Sequence, residues 1–187
     1  MTSPAVQIPG YIAGTWDLDP VHSTIGFTVR HLMVSKVHGY FTKWNGSLEF
    51  DPENPAKSHA QVDIDVASVD TREPQRDTHL RSGDFFEVEK HPKMTFKSTK
   101  VEKAGGENYK VTGDLSLRGV TKPVTLDVEY GGRSKHPQMG ERIGFSGHTS
   151  INRKDFGVAF NQVLDNGGVA LSDKVDINIE IEATKAS

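Results

Sequence analysis

Apolar and polar residues alternate along most of this chain, and this period of two constrains its fold more than any other feature. The clearest run, residues 175–182, reads VDINIEIE. In an extended strand, successive side chains point to opposite faces, so such a run has one apolar face and one polar face. Comparable runs occupy residues 25–29, 40–50, 60–66, 109–117, 124–130 and 143–151, with weaker ones at 14–18 and 94–101.

Strands with one apolar and one polar face predict an antiparallel sheet. Parallel sheets bury both faces and need a crossover helix between strands, and neither requirement is met here. Turn-forming residues separate the runs, as at 51–55, 105–108 and 118–121. The single apolar face must be buried by closing the sheet into a barrel or by stacking two sheets, and periodicity leaves both arrangements open.

One helix is expected among the strands. It begins near Asp70 or Thr71, has Pro74 in its first turn and ends near Gly83, so we predict a helix over about 70–83. The residues from 70 to 86 read DTREPQRDTHLRSGDFF. They suit either a solvated helix with paired charges or a polar lid over a barrel mouth. A weaker helical start lies at Asn152.

Composition narrows the class of protein. The 187 residues suit one domain, which we place at 14–184 after an N-terminal tail at 1–13. A net charge of -3 argues against nucleic-acid binding, and the absence of cysteine excludes thiol nucleophiles and cysteine metal sites. No apolar stretch approaches the ~18 residues of a membrane span, and no leader is visible, so we expect a soluble, cytoplasmic protein without stable membrane insertion.

The eight histidines show no short-range ligand spacing, because neither H-x-H nor H-x-x-x-H occurs. A metal site assembled from distant strands would use His22, His31 or His79. That leaves a small metal-dependent or cofactor-free barrel enzyme as an alternative function. Residues 144–148 read GFSGH, which lacks the spacing and the following helix of a hydrolase nucleophile elbow.

Four ordered motifs resemble those of the YceI-like family. The first reads WDLDPVHS at 16–23, followed by IGF at 25–27 and His31. The second reads RDTHL at 76–80 with DFF at 84–86, and the later two read LRGVT at 117–121 and INRKDFG at 151–157. The match runs in order from about residue 14 to 183, which is nearly the whole chain.

The resemblance implies an all-β fold, an extended antiparallel eight-stranded lipocalin-like β-barrel whose one short helix lies near the mouth. The strand-like runs number up to nine, so we expect one long strand to be interrupted near Pro20. The family's pore holds a polyisoprenoid or similar amphiphilic lipid, with no catalysis established for the group. The resemblance thus implies a non-enzymatic binding, storage or transport protein.

On that basis we predict no catalytic residue, no metal and no cofactor, with a polyprenyl lipid or isoprenoid quinone as bound ligand. A homodimer and a barrel filled by its own side chains both remain open. Head-group contacts are predicted from Arg76, His79 and Arg153. The predicted pore-lining residues are Phe27, Val29, Phe41, Trp44, Leu48, Leu80, Phe85, Phe86, Phe96, Leu115, Leu117, Phe145 and Phe156. Phe41 and Trp44 have opposite parity, so both face inward only if a bulge intervenes.

Overall fold

A computed structural model describes residues 14–165 and 168–186, so the predicted tail at 1–13 lies outside the described residues. The strands are β1 (Gly14–Leu18), β2 (Thr24–His31), β3 (Ser35–Phe41), β4 (Trp44–Phe50), β5 (His59–Asp65), β6 (Val69–Asp70), β7 (Lys93–Lys103), β8 (Asn108–Leu117), β9 (Val120–His136), β10 (Gly140–Asn152) and β11 (Leu171–Lys185). Helix α1 spans Pro74–Arg81, and short 3-10 turns occupy Pro55–Lys57, Val66–Ser68 and Arg153–Phe156. No helix among these residues is long and apolar enough to span a bilayer.

The sheet closes on itself through β11. One edge of β11 pairs with β10, and its other edge pairs with β2 and then with β1. From β1 the antiparallel order continues through β4, β5, β7, β8 and β9 back to β10. The closed barrel has eight strand positions, because β2, β3 and β6 extend positions already occupied by β1, β4 and β5. The prediction of an eight-stranded antiparallel barrel is confirmed, and stacked sheets are excluded.

The expected interruption near Pro20 separates β1 from β2, and both of these strands pair with β11. The backbone N–H of Asp19 donates to the Glu182 carbonyl (2.8 Å), and Ser23 Oγ accepts from the Glu182 N–H (2.8 Å). The Asp19 carboxylate accepts from the Val21 N–H (2.9 Å) and from the Arg142 guanidinium (2.7 Å). The first motif therefore fastens the interrupted strand to its neighbours.

A second interruption explains the parity conflict between Phe41 and Trp44. The backbone N–H groups of Thr42 and Lys43 both donate to Ser68 Oγ, at 3.1 and 3.0 Å. These two residues leave the ladder, so β3 ends at Phe41 and β4 begins at Trp44. Both aromatic side chains are consequently buried.

Helix α1 is shorter than the sequence suggested, at Pro74–Arg81 rather than 70–83. Its N-cap is Glu73, whose carboxylate accepts from the Arg76 N–H (2.6 Å), and Asp70 belongs to β6. The Asp77 carboxylate instead reaches back to the N–H (2.9 Å) and hydroxyl (2.6 Å) of Thr71. Side-chain hydrogen bonds thus hold residues 71–73 outside the helix, with Arg72 in a bend at a left-handed φ of 65°.

The two barrel ends differ. The α1 end carries helix α1, the β2–β3 hairpin and residues 153–165 and 168–170. At the opposite end, the Phe50 ring packs against Tyr109, Tyr130 and Phe145 with centroid separations of 5.5, 5.7 and 5.2 Å. Trp16, at 0% exposure, lies on the adjoining strand β1. Side chains therefore fill the opposite end and form a floor beneath the rest of the barrel.

The contacts of Asp19 predict an acid-dependent loss of stability. Hydrogen bonds from Arg142, and next from His22, hold the pKa of Asp19 well below its usual range. The ionised Asp19 carboxylate therefore stabilises the fold fully above the unfolded-state pKa of about 3.9, and this contribution is lost as the pH falls towards the lower folded-state pKa. We expect Asp19→Asn to lower the free energy of unfolding by about 1–2 kcal/mol at neutral pH, with a smaller difference in acid. Urea denaturation across pH checks this, with the exposed Asp17→Asn as control; equal effects of the two substitutions would contradict it.

Candidate functional site

The barrel encloses a cavity of about 490 Å³ above the aromatic floor. Its wall is built almost entirely from the inward apolar faces of the strands. On β11 alone the wall extends from Leu171 to Ile181. At about 3.3 Å per residue, that is roughly 30 Å along the strand. The cavity is therefore long and narrow rather than round.

Most of the predicted pore residues lie on this wall. The wall includes Phe27, Val29, Phe41, Leu48, Leu80, Phe85, Phe86, Phe96, Leu115, Leu117 and Phe145. Trp44 and Phe156 do not line the cavity, in contrast to the prediction. Trp44 opens β4 directly after the Thr42–Lys43 interruption, and Phe156 ends a 3-10 turn; both pack into the buried core instead.

Two glycines let phenylalanine rings lie against the wall. Phe27 pairs with Gly39, and a Cβ at Gly39 would stand 2.2 Å from the Phe27 ring. Across β7 and β8, a Cβ at Gly113 would stand 2.4 Å from the Phe96 ring. Any larger residue would have to displace these rings, so the glycines preserve the width of the cavity.

Arg76 and His79 line the cavity at its α1 end. Arg76 donates through Nε to Thr71 Oγ1 (2.7 Å) and through Nη2 to the Thr71 carbonyl (2.8 Å). His79 Nε2 lies 2.8 Å from the Asp84 carboxylate, and its ring packs edge-on against Phe85 and Phe160. Arg76 and His79 are therefore held in fixed positions at the rim.

Arg153 is the most buried of the predicted head-group residues, at 5% exposure. Its Nε donates to the Ser172 carbonyl (2.9 Å), and its Nη1 donates to the carbonyls of Val158 and Phe160, both at 2.8 Å. Burial lowers the pKa of Arg153. The Asp173 carboxylate, 3.8 Å from the guanidinium, raises that pKa and so partly opposes the effect of burial. The guanidinium joins residues 158–160 to the start of β11, and this bracing role was not predicted.

Arg118 is a further mouth residue that sequence reasoning missed. It adopts a left-handed φ of 51° in the β8–β9 turn. Its guanidinium donates to the carbonyls of Gly83 (2.9 Å) and Gly157, with Glu87 at 3.5 Å. The LRGVT motif indicated only a hairpin turn, yet its arginine connects the segments after α1 and after β10.

The three candidate histidines do not form one site. His31 and His79 line the cavity, whereas His22 lies outside it, beside Asp19. Within the described residues, the only cluster able to hold a metal ion is Asp19, His22 and Glu182. Arg142 Nη1 donates to both of its carboxylates, so a cation there would have to displace the guanidinium.

Comparison with known proteins gives one consistent result. A family model described as the YceI-like domain matches residues 16–183. The UPF0312 protein plu2095 of Photorhabdus laumondii is 44% identical over 169 residues, which cover 90% of this chain and 84% of that relative.

Solved structures share the fold. BcnA of Burkholderia cenocepacia has a TM-score of 0.80 at 28% identity, over 90% of this chain and all of that one. A polyisoprenoid binding domain from Saccharophagus degradans, implicated in plant cell wall breakdown, has a TM-score of 0.66. Its 18% identity, over 94% of this chain and all of that one, shows likeness of fold alone.

The glycine contacts generate a stability prediction. We expect Gly39→Ala to lower the free energy of unfolding by about 1–3 kcal/mol, because the new methyl group overpacks against the Phe27 ring. Thermal and urea denaturation measure the change. Gly83→Ala is the matched control, since its Cβ would meet nothing within 4 Å. Equal stability of the two variants would show that the Phe27 ring moves aside at no cost.

Proposed function

Because the chain belongs to the YceI-like domain family, we propose that it binds a polyisoprenoid or similar long-chain lipid in the barrel cavity, for storage or transport and without catalysing a reaction. A polyprenyl lipid or an isoprenoid quinone is the proposed ligand. The single observation that carries this proposal is the shape and lining of the cavity, which is long, apolar and closed by aromatic side chains at one end.

The dimensions of the cavity suit one extended chain. A volume of about 490 Å³ falls within the range of about 300–1,000 Å³ common for small-molecule sites. A wall that runs roughly 30 Å along a strand favours a linear ligand over a compact one. The branched methyl groups of an isoprenoid would meet Val, Leu, Ile and Phe side chains along its length.

Contact between the lipid tail and the cavity wall dominates the proposed binding free energy. Burial of each CH₂ group is worth about 0.8 kcal/mol before the costs of binding are subtracted. At a realistic ~0.3 kcal/mol per atom, a tail of some 30–40 carbons still contributes on the order of 10 kcal/mol. A partly exposed ion pair with a head group adds only about 1 kcal/mol.

The polar end of the lipid is proposed to lie at the α1 end. Arg76 and Arg153 are the only lysine or arginine side chains on the described wall, and His79 is beside them. A tail-first orientation would place the polar group against these residues and the tail above the Phe50–Tyr109 floor. The solved polyisoprenoid binding domain of the same fold supports the class of ligand.

Organic extraction of the purified full chain, followed by mass spectrometry, tests the proposal. We expect close to one isoprenoid lipid per protein, or uptake of added polyprenol or isoprenoid quinone if none is retained. A clean extract together with no uptake would refute lipid binding.

Two substitutions separate the contributions of wall and rim. Phe27→Asp places a charge on the apolar wall and should abolish lipid retention, whereas Arg76→Ala should retain lipid and change the preference between phosphorylated and unphosphorylated chains. Circular dichroism identifies which variants keep the β-rich fold. If Arg76→Ala empties the cavity and folded Phe27→Asp does not, the head group is the main anchor and the energetic order above is wrong.

A further inference from the structure

The β2–β3 hairpin exposes three consecutive apolar side chains at the α1 end. Leu32, Met33 and Val34 are 40%, 58% and 81% exposed. Leu32 and Met33 have φ values of 51° and 61°, in the left-handed region that favours glycine. Neither burial nor backbone preference therefore explains why large apolar residues occupy the end of this hairpin. We call residues 32–34 the apolar tip.

A second exposed apolar pair lies beside the apolar tip. Phe160 and Val163 are 38% and 75% exposed, and the Leu32 N–H donates to the Ala170 carbonyl (2.8 Å) at the end of the same loop. Of the eight large apolar side chains exposed in the described residues, five thus lie on these two loops. Phe160 and Ala170 also line the cavity. The apolar surface is therefore continuous with the cavity wall.

Unpaired cations flank the apolar tip. Arg30 lies directly opposite Lys36 on β2 and β3, on the outer face, since the preceding pair of Val29 and Val37 lines the cavity. Like charges in opposite positions destabilise a sheet. In the described part of the chain, neither side chain has an ion pair. Both side chains are exposed, so the pair presents two positive charges to solvent without a neutralising side chain.

The cationic surface continues towards α1 as a shallow pocket of about 300 Å³. It is lined by Lys36, Val37, His38, Tyr40, Thr71, Arg72 and Arg76. No acidic side chain lines it among the described residues, and the nearby Asp70 carboxylate accepts from the Arg72 backbone N–H (2.8 Å). Arg30, Lys36, Arg72 and Arg76 form what we call the cationic collar.

We propose that the α1 end docks reversibly onto anionic lipid bilayers. The apolar tip would enter the boundary between head groups and acyl chains, and the cationic collar would meet the lipid phosphates. Because the chain carries a net charge of -3, attraction to an anionic surface must come from this local cluster. The cluster would also orient the molecule with its cavity mouth facing the bilayer. This surface goes beyond the proposed function, since docking requires no lipid in the cavity.

Co-sedimentation of the full chain with vesicles tests the docking surface. Vesicles of phosphatidylcholine and phosphatidylglycerol should bind the protein, vesicles of phosphatidylcholine alone should bind it far less, and added salt should weaken binding. Met33→Asp should weaken binding by about tenfold, since it removes an inserted side chain and adds a repelled charge. Lys36→Gln should weaken it by about fivefold.

Matched controls lie at the opposite end of the barrel. Met139 is 46% exposed in the β9–β10 hairpin, and Lys103 ends β7. Met139→Asp and Lys103→Gln should leave vesicle binding unchanged. The proposal is overturned if wild type binds neither kind of vesicle. It is also overturned if Met139→Asp and Lys103→Gln lose as much binding as Met33→Asp and Lys36→Gln.

Two further readouts separate the remaining explanations. Sedimentation velocity should show the same oligomeric state for wild type and Met33→Asp. If wild type self-associates and Met33→Asp does not, the apolar tip belongs to a homodimer interface and bilayer docking is overturned. Lipid extraction from Met33→Asp protein should match wild type, so failure of docking and failure of cavity binding are distinguishable.

Discussion

Closure of the sheet by β11 is the interaction on which the rest of the structure depends. Each strand has one apolar face, and only a closed barrel can bury all of these faces without a second layer. The β11 strand pairs along one edge with β10 and along the other with both β2 and β1. The Asp19–Ser23 interruption would open a gap in that second edge. The Asp19 N–H donates to the Glu182 carbonyl and the Glu182 N–H donates to Ser23 Oγ, and these two hydrogen bonds keep the edge closed.

The same barrel is filled at one end and hollow along the rest, and the difference lies in which side chains point inward. At the floor, Phe50, Tyr109 and Tyr130 are large enough to meet across the axis. Nearer the α1 end, Gly39 and Gly113 leave room for aromatic rings to lie against the wall. Arginines then hold the mouth by bonding to loop carbonyls, which have no strand partners.

The period-two pattern predicted the antiparallel strands, because that property follows from local alternation. It left a closed barrel and stacked sheets both open, and the resemblance to the YceI-like family implied the eight-stranded barrel and, through its strand count, the break near Pro20. The pattern failed where a distant hydrogen bond changes the parity of a strand. Ser68 removes Thr42 and Lys43 from the ladder. The opposite parity of Phe41 and Trp44 showed that a bulge was needed, but the sequence did not identify Ser68 as the residue that holds it. The bracing by Arg118 and Arg153 was likewise missed, since their acceptors are backbone carbonyls that any residue supplies. The predicted head-group roles of Arg76, His79 and Arg153 remain predictions.

The central claim is that a long isoprenoid chain lies inside this barrel. Photo-crosslinking with a polyprenol that carries a diazirine in its tail, followed by peptide mapping, tests it most directly. Label should fall on wall peptides that contain Phe96, Leu115 or Ile177, and excess unlabelled polyprenol should suppress it. Label confined to outward-facing residues, or label that polyprenol does not compete away, would contradict the claim.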